Sequence, residues 1–86
     1  MPTLSRFYGI VIRMRFNDHA PPHFHAVYGE YELRVGIWPV KILSGEAPPR
    51  VRSMVLEWAA LHQEELRTAW GQCRVGEEPT QIASLE

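Results

Sequence analysis

The sequence predicts an α+β fold, with a three- to four-stranded antiparallel sheet packed on one face by a single long C-terminal helix. The first half of the chain alternates apolar and polar side chains, which is the period of a half-buried strand. The second half repeats its apolar side chains at the helical period. With 86 residues, 45% of them hydrophobic, the chain has material for one core. We therefore expect a single domain over residues 1–86.

The strands are predicted from alternation and from the turn residues between the alternating segments. Ala20-Pro21-Pro22 cannot continue a ladder of hydrogen bonds, so the first strand should end before it. Gly29-Glu30 has the form of a two-residue hairpin loop, and Trp38-Pro39 breaks the strand that follows this loop. The predicted strands are residues 8–16, 23–28, 31–37 and, as a short edge strand, 40–43.

One helix is predicted over residues 49–73. Pro48-Pro49 suits a first helical turn, and Gly76 is a suitable stop. Residues 77–86 contain Pro79 and are predicted to be an irregular tail. The apolar stripe of this helix would cover the sheet and consists of Val51, Met54, Val55, Trp58, Leu61, Leu66 and Ala69.

The strand register predicts one apolar face and one polar face. With Gly29-Glu30 as the loop, Phe24 and Ala26 point towards the helix, whereas His23 and His25 point away from it. No second helix is available to cover the outer face, which we expect to be bare. In this register Arg15 lies opposite His23 and Arg13 lies opposite His25. The polar residues of this outer face are Arg13, Arg15, His23, His25, Glu32 and Arg34.

Two interpretations of the outer face remain open. It is either a solvated surface or a docking and anion-binding surface, since guanidiniums form planar forks for phosphate or carboxylate. A histidine on this face could also transfer a proton. If the protein is an enzyme, the candidate catalytic residues are therefore His23, His25, Arg13, Arg15 and Arg34.

The histidines also allow a metal site as an alternative. His19, His23 and His25 form an H-x3-H-x-H pattern, and the two strand histidines point the same way, so that they could share a divalent ion such as zinc with His19. Neighbouring arginines oppose a cation, because like charges repel. No other cofactor is indicated, and the sequence has no glycine-rich phosphate loop.

Two polar residues of the predicted helix, His62 and Glu65, fall inside its apolar stripe. Burying an unpartnered ionisable group is costly. They should therefore pair with each other, hold a backbone group or an arginine such as Arg6, or line a cleft.

Composition excludes several classes of protein. The formal net charge of -1 argues against a wholly basic, nucleic-acid-coating surface, although a local patch remains possible. The single cysteine, Cys73, cannot form an internal disulfide. No apolar run approaches the length of a membrane span, and the N-terminus lacks the order of a signal peptide. We expect a cytoplasmic protein that does not contact membranes.

Three segments resemble a known family. They are Pro2 to Ile10 (PTLSRFYGI), Asp18 to Ala26 (DHAPPHFHA) followed by Tyr28, and Glu57 to Leu66 (EWAALHQEEL). Together they are similar to the bacterial family catalogued as domain of unknown function 4160, and the likeness spans nearly the whole chain. The family's characteristic polar residues match His19, His23, His25, His62 and Glu65 here. Relatives are expected to carry aromatic or apolar side chains at Arg13 or Arg15, so the arginine face departs from the family pattern.

The resemblance implies a functional context and no mechanism. Such proteins look like products of short bacterial operons and are often paired with a second small protein in toxin–antitoxin modules. The leading hypothesis is therefore the toxin of a type II toxin–antitoxin pair, bound by a small cognate protein encoded nearby and acting as a metal-independent RNase. The alternatives are a non-catalytic interaction or regulatory domain and a metal-binding domain using the histidine loop. RNA is a candidate partner, and a homodimer is compatible with the sequence.

Overall fold

The computed structural model describes residues 1–86 as an antiparallel sheet with two helices. The five strands follow one another in the sheet in chain order, each hydrogen-bonded to the next. The α+β class and the antiparallel sheet are therefore confirmed. The predicted number of three to four strands is too small, because the sheet has five. The elements are β1 (Thr3–Phe7), β2 (Ile10–Arg13), β3 (His23–Tyr28), β4 (Tyr31–Ile37), β5 (Val40–Glu46), α1 (Pro49–Leu61) and α2 (Gln63–Arg74).

The predicted first strand, residues 8–16, is wrong at both ends. A tight turn at Tyr8 and Gly9, with φ angles of 50° and 81°, joins β1 to β2. Positive φ at both turn residues matches the twist of paired strands, and Gly9 adopts it without steric cost. The alternation of residues 8–16 concealed this turn, because Tyr8 continues the apolar pattern. After Arg13 the chain leaves the sheet and forms a loop, residues 14–22.

The hairpin of β3 and β4 has the predicted register. Tyr28 pairs with Tyr31 on either side of the Gly29-Glu30 loop, and His25 pairs with Arg34. The predicted edge strand, residues 40–43, extends to Glu46 in the structure. The register of β5 shifts at a bulge between Arg34 and Val35, and the three additional residues pair beyond it.

The predicted single helix, residues 49–73, is two helices. It begins at Pro49 as expected, but His62 has φ and ψ of -118° and 28°, which are outside the helical range. Beyond this break, the Gln63 side chain donates a hydrogen bond of 2.7 Å to the Ile37 carbonyl, which ties the start of α2 to the end of β4. The change of direction leaves Leu61 66% exposed, so its assignment to the apolar stripe was wrong.

The core lies between the sheet and the helices and is centred on Trp58, which is fully buried. Its ring packs against Phe7 and Phe24, with centroids 5.5 and 5.7 Å away. Residues 77–86 have no regular secondary structure, as expected, yet they are anchored to the body. The N–H of Ile82 donates to the Leu4 carbonyl at 2.9 Å along the edge of β1. Neither helix is long and apolar enough to cross a membrane.

Candidate functional site

The candidate site lies where β3 begins, on the side of the sheet that was expected to be bare. His23 and His25 both point to this side, but their residues are only 3% and 7% exposed. The expectation of an uncovered face is therefore wrong at this end. Loop 14–22 covers the two histidines, and the Trp70 ring of α2 lies 5.3 Å from the ring of His23.

Backbone hydrogen bonds hold loop 14–22 in place at both ends and in its middle. Met14 donates to the Pro2 carbonyl at 3.1 Å, Asn17 donates to the Cys73 carbonyl at 3.0 Å, and Ile37 donates to the Pro22 carbonyl at 3.1 Å. The loop is thus tied to the segment before β1, to α2 and to β4. It presents the Asp18 side chain to the histidines.

Both ring nitrogens of His23 have a partner. Its Nδ1 lies 2.8 Å from the Pro21 carbonyl oxygen, and its Nε2 lies 3.0 Å from Asp18 Oδ2. A carbonyl oxygen can only accept, so Nδ1 carries a proton and donates it to Pro21. In the neutral ring, Nε2 then presents its lone pair to the carboxylate of Asp18.

His25 is arranged in the same way, one pleat further along β3. Its Nδ1 donates to Glu32 Oε2 at 3.0 Å, from the neighbouring strand β4. Its Nε2 lies 3.9 Å from Asp18 Oδ2, which is too long for a hydrogen bond. This nitrogen is buried and has no hydrogen-bond partner.

Three electron-pair donors therefore converge on one point. One ligand atom from each of Asp18, His23 and His25 lies within 4.8 Å of the other two. Neutral imidazoles and a carboxylate repel one another through their lone pairs unless a proton or a cation lies between them. The arrangement can therefore hold either a proton, as an ion pair of Asp18 with His23, or a divalent metal ion.

Asp18 is in the charged form that either role requires. Burial favours the neutral carboxyl group, but this effect is outweighed by stabilisation of the carboxylate. The backbone N–H of His19 donates to Oδ1 at 2.8 Å, and the carboxylate is attracted by His23 when its ring is protonated and by the charge of Arg15. Together these contacts lower the pKa of Asp18 below its ordinary value of 3.8.

His19 was expected to be the third ligand of a metal site, but it does not belong to this group. Its side chain is on an exposed residue of the loop, and Asp18 takes the place that was expected for it. The only sequence signal for Asp18 was its position before His19 in the D-H-x-P-P-H-x-H block. That signal does not reveal which side chain the loop turns inward.

Two of the three predicted arginines flank His25 across the sheet. Arg13 on β2 and Arg34 on β4 are its direct cross-strand neighbours, as the register predicted. The predicted pairing of Arg15 with His23 is wrong, because Arg15 lies in loop 14–22 and is exposed. Arg15 instead acts on Asp18 through its charge.

His62 and Glu65 lie apart from this site and pair with each other. His62 Nδ1 is 2.6 Å from Glu65 Oε1, and the His62 ring packs at 5.4 Å from the Trp58 ring. The Glu65 side chain is 52% exposed, so the pair lies at the rim of the core at the break between the helices. Of the alternatives above, mutual pairing is observed, and Glu65 also lines a cavity together with Thr68 and Ile82.

The fold and the site together place the protein in one structural class. It is a small α+β domain with a five-stranded antiparallel meander, and it contains a group of two buried histidines and an aspartate. A profile of the family described as domain of unknown function (DUF4160) matches residues 9–71. This range covers well over half of the chain and includes the whole site, so the protein belongs to that family. Comparisons with curated proteins and with solved structures found no match.

Proposed function

We propose that the protein is a divalent-metal-binding domain whose ion is held by Asp18, His23 and His25. The observation that carries the proposal is the Nε2 atom of His25, which is buried, unpartnered and aimed at the carboxylate of Asp18. An unsatisfied buried nitrogen costs free energy unless a cation or proton occupies the space before it.

The distances suit a metal ion. Bonds of roughly 2.0–2.2 Å to nitrogen and oxygen place tetrahedral ligands about 3.3 Å apart. The nitrogen–oxygen distances here, 3.0 Å for His23 and 3.9 Å for His25, lie on either side of that value. The three ligand atoms lie within 4.8 Å of one another, so they would have to approach by up to about 1.5 Å to complete the site.

The surroundings of the histidines are also those of metal ligands. A metal-bound histidine usually donates its other ring N–H to a carboxylate or a backbone carbonyl, which fixes the ring and its tautomer. His25 donates to Glu32, and His23 donates to the Pro21 carbonyl. Both rings are therefore held with Nε2 available to the ion.

The ligand set selects the class of ion. Two imidazoles and a carboxylate favour zinc or another divalent first-row transition metal over calcium or magnesium, which prefer oxygen ligands. Three protein ligands leave at least one coordination position for water or substrate, as in catalytic sites. The ion would thus have a position for a ligand that the protein does not supply.

Isothermal titration of metal-stripped, untagged protein with zinc tests the proposal. We expect one ion per chain, with the affinity reduced at least a hundredfold by Asp18→Asn and by His25→Ala. Glu32→Gln should weaken binding less, by about tenfold, because it acts through His25. His19→Ala is the matched control and should leave the affinity unchanged. Absence of saturable binding by the folded wild-type protein would overturn the proposal.

The second candidate is the toxin of a type II toxin–antitoxin pair, acting as a metal-independent RNase and bound by a small cognate protein. One observation favours it: Glu32 orients His25 as a carboxylate orients a general base, with Arg13 and Arg34 on either side to hold phosphate. RNA cleavage by the wild-type protein that persists in the presence of a chelator would support this second candidate. The double variant Arg13→Ala with Arg34→Ala should have lost the cleavage. No cleavage by folded protein would exclude it.

A further inference from the structure

We infer that the ligand of the proposed metal site is a phosphate group, held between the ion and the guanidiniums of Arg13 and Arg34. This inference rests on the proposed metal and extends it, because it assigns the chemistry of what the ion binds.

The sheet register places the two arginines around His25. Arg13 pairs with His25 from β2, and Arg34 pairs with it from β4. Directly opposed residues of an antiparallel pair have their Cβ atoms about 4.5–5.5 Å apart on the same face. Arg13, His25 and Arg34 therefore form one row across three strands, on the same face of the sheet. The proposed ion would be bound by Nε2 of the histidine in the middle of this row.

These arginines have no carboxylate partner in the protein. The one arginine in an ion pair is Arg67, which lies 3.4 Å from Glu64 on α2. Glu32 is the nearest acidic residue along β4, but its carboxylate is hydrogen-bonded to His25. The Nε atom of Arg13 is buried and has no hydrogen-bond partner. Both guanidiniums are thus available to an anion.

The local charges select a doubly charged anion. The carboxylates of Asp18 and Glu32 offset a divalent ion, so Arg13, Arg34 and Arg15, which also acts on Asp18, leave an excess of three positive charges. A phosphate dianion would balance two of them. Guanidinium groups bind phosphate through two parallel N–H to oxygen bonds, which gives direction as well as charge. The open position on the ion would take a further phosphate oxygen.

Isothermal titration with inorganic phosphate tests the inference, in zinc-loaded and in metal-stripped protein. We expect saturable binding to the zinc form and at least tenfold weaker binding without zinc. Arg34→Gln, at an exposed position, and Arg13→Gln should each weaken phosphate binding about tenfold while the zinc content stays at wild-type level. Arg52→Gln, exposed on α1, is the matched control and should bind like wild type.

The outcomes separate this inference from the proposal on which it rests. Zinc retained without phosphate binding, or equal phosphate binding with and without zinc, would overturn the inference alone. Failure of the wild-type protein to hold zinc would overturn both.

Adenosine monophosphate and a short single-stranded RNA, used in place of inorganic phosphate, distinguish the source of the phosphate group. Equal affinities would indicate a small phosphate ester, and much tighter RNA binding would indicate a nucleic-acid backbone.

Discussion

At the scale of single residues, Glu32 shows how an exposed side chain can define a buried site. Its side chain is 55% exposed, yet its carboxylate accepts the Nδ1 proton of His25 and so fixes which ring nitrogen faces Asp18. The Pro21 carbonyl has the same effect on His23. The chemistry of the site is thus set by two acceptors that lie outside the group of three candidate ligands.

Cys73 should be unreactive in the folded protein. Its residue is 1% exposed, and burial together with the negative charge of Glu78 raises the pKa of its thiol above 9.0. Because only the thiolate attacks, we expect alkylation by iodoacetamide at pH 8 to be more than tenfold slower in native protein than in urea. Val75→Cys in a Cys73→Ala background, at a position 72% exposed, is the control and should react quickly when folded. Equal native and denatured rates for Cys73 would contradict the structure.

Trp58 should contribute more to stability than its size alone suggests. Its Nε1 donates to the Ala83 carbonyl at 2.8 Å, so it joins the core to the C-terminal tail. We expect Trp58→Phe to lower the free energy of unfolding by about 2 kcal/mol, through the lost hydrogen bond and the unfilled volume. Trp38→Phe, at a position 58% exposed, should change it by less than about 0.5 kcal/mol. Urea denaturation measures both values.

The sequence identified the two histidines of the site and its flanking arginines, but not the aspartate. Alternation along β3 and the Gly29-Glu30 loop decide which face His23, His25 and Arg34 share, and both features are local. The inward position of Asp18 depends on hydrogen bonds from loop 14–22 to distant parts of the chain. No pattern within the loop encodes those contacts, so His19 and Asp18 could not be distinguished.

At the scale of elements, β5 depends on one glycine near its end. Gly45 has φ of 94°, and a Cβ atom at this position would lie 2.1 Å from the Glu32 carbonyl oxygen. Gly45 pairs with Leu33, close to the register shift between Arg34 and Val35. Because Glu32 also holds His25, the packing of β5 and the candidate site are connected.

Two glycine substitutions should therefore have opposite effects. Gly45→Ala should destabilise the protein by more than about 2 kcal/mol, because both the backbone angle and the contact with Glu32 are unfavourable. Gly71→Ala, on the exposed side of α2 with no neighbouring atom within 4 Å, should stabilise it by roughly 0.5–1 kcal/mol. Thermal or urea unfolding measures both changes. A neutral Gly45→Ala would contradict the close approach of Gly45 to Glu32.

The sequence did not predict β1 or the break between the helices, because no nearby residue marks where these elements begin or end. The segment Thr3–Phe7 lacks regular alternation, and its strand forms because β2 pairs with it. The break at His62 has neither proline nor glycine to mark it, since it follows from packing α2 against the end of β4. By contrast, the start of α1 at Pro49 and the chain reversal at Gly29 are encoded by the residues themselves.

At the scale of the whole molecule, loop 14–22 connects parts of the chain that are far apart in the sequence. It contacts the segment before β1, the end of α2 and the start of β3. A metal ion bound between the loop and β3 would add a further link. Because binding to the folded state alone stabilises it, zinc at a hundredfold excess over its Kd would add about 2.7 kcal/mol.

The toxin hypothesis predicts a phenotype for the whole protein. If it is correct, expression without the small protein encoded nearby should arrest bacterial growth, and co-expression should restore growth while the two proteins co-purify. The double variant Arg13→Ala with Arg34→Ala should be harmless yet folded, because it removes the proposed phosphate-binding groups. Growth assays with circular dichroism of the variant test this. Unaltered growth with abundant folded wild-type protein would contradict it.

The proposed metal site is tested most directly by a crystal structure of the untagged protein grown with zinc, with anomalous diffraction recorded at the zinc edge. We expect one strong peak about 2.0–2.2 Å from His23 Nε2, His25 Nε2 and an Asp18 oxygen. The hydrogen bonds of His25 to Glu32 and of His23 to Pro21 should be retained. A peak bound to His19 instead, or no peak between β3 and loop 14–22, would contradict it.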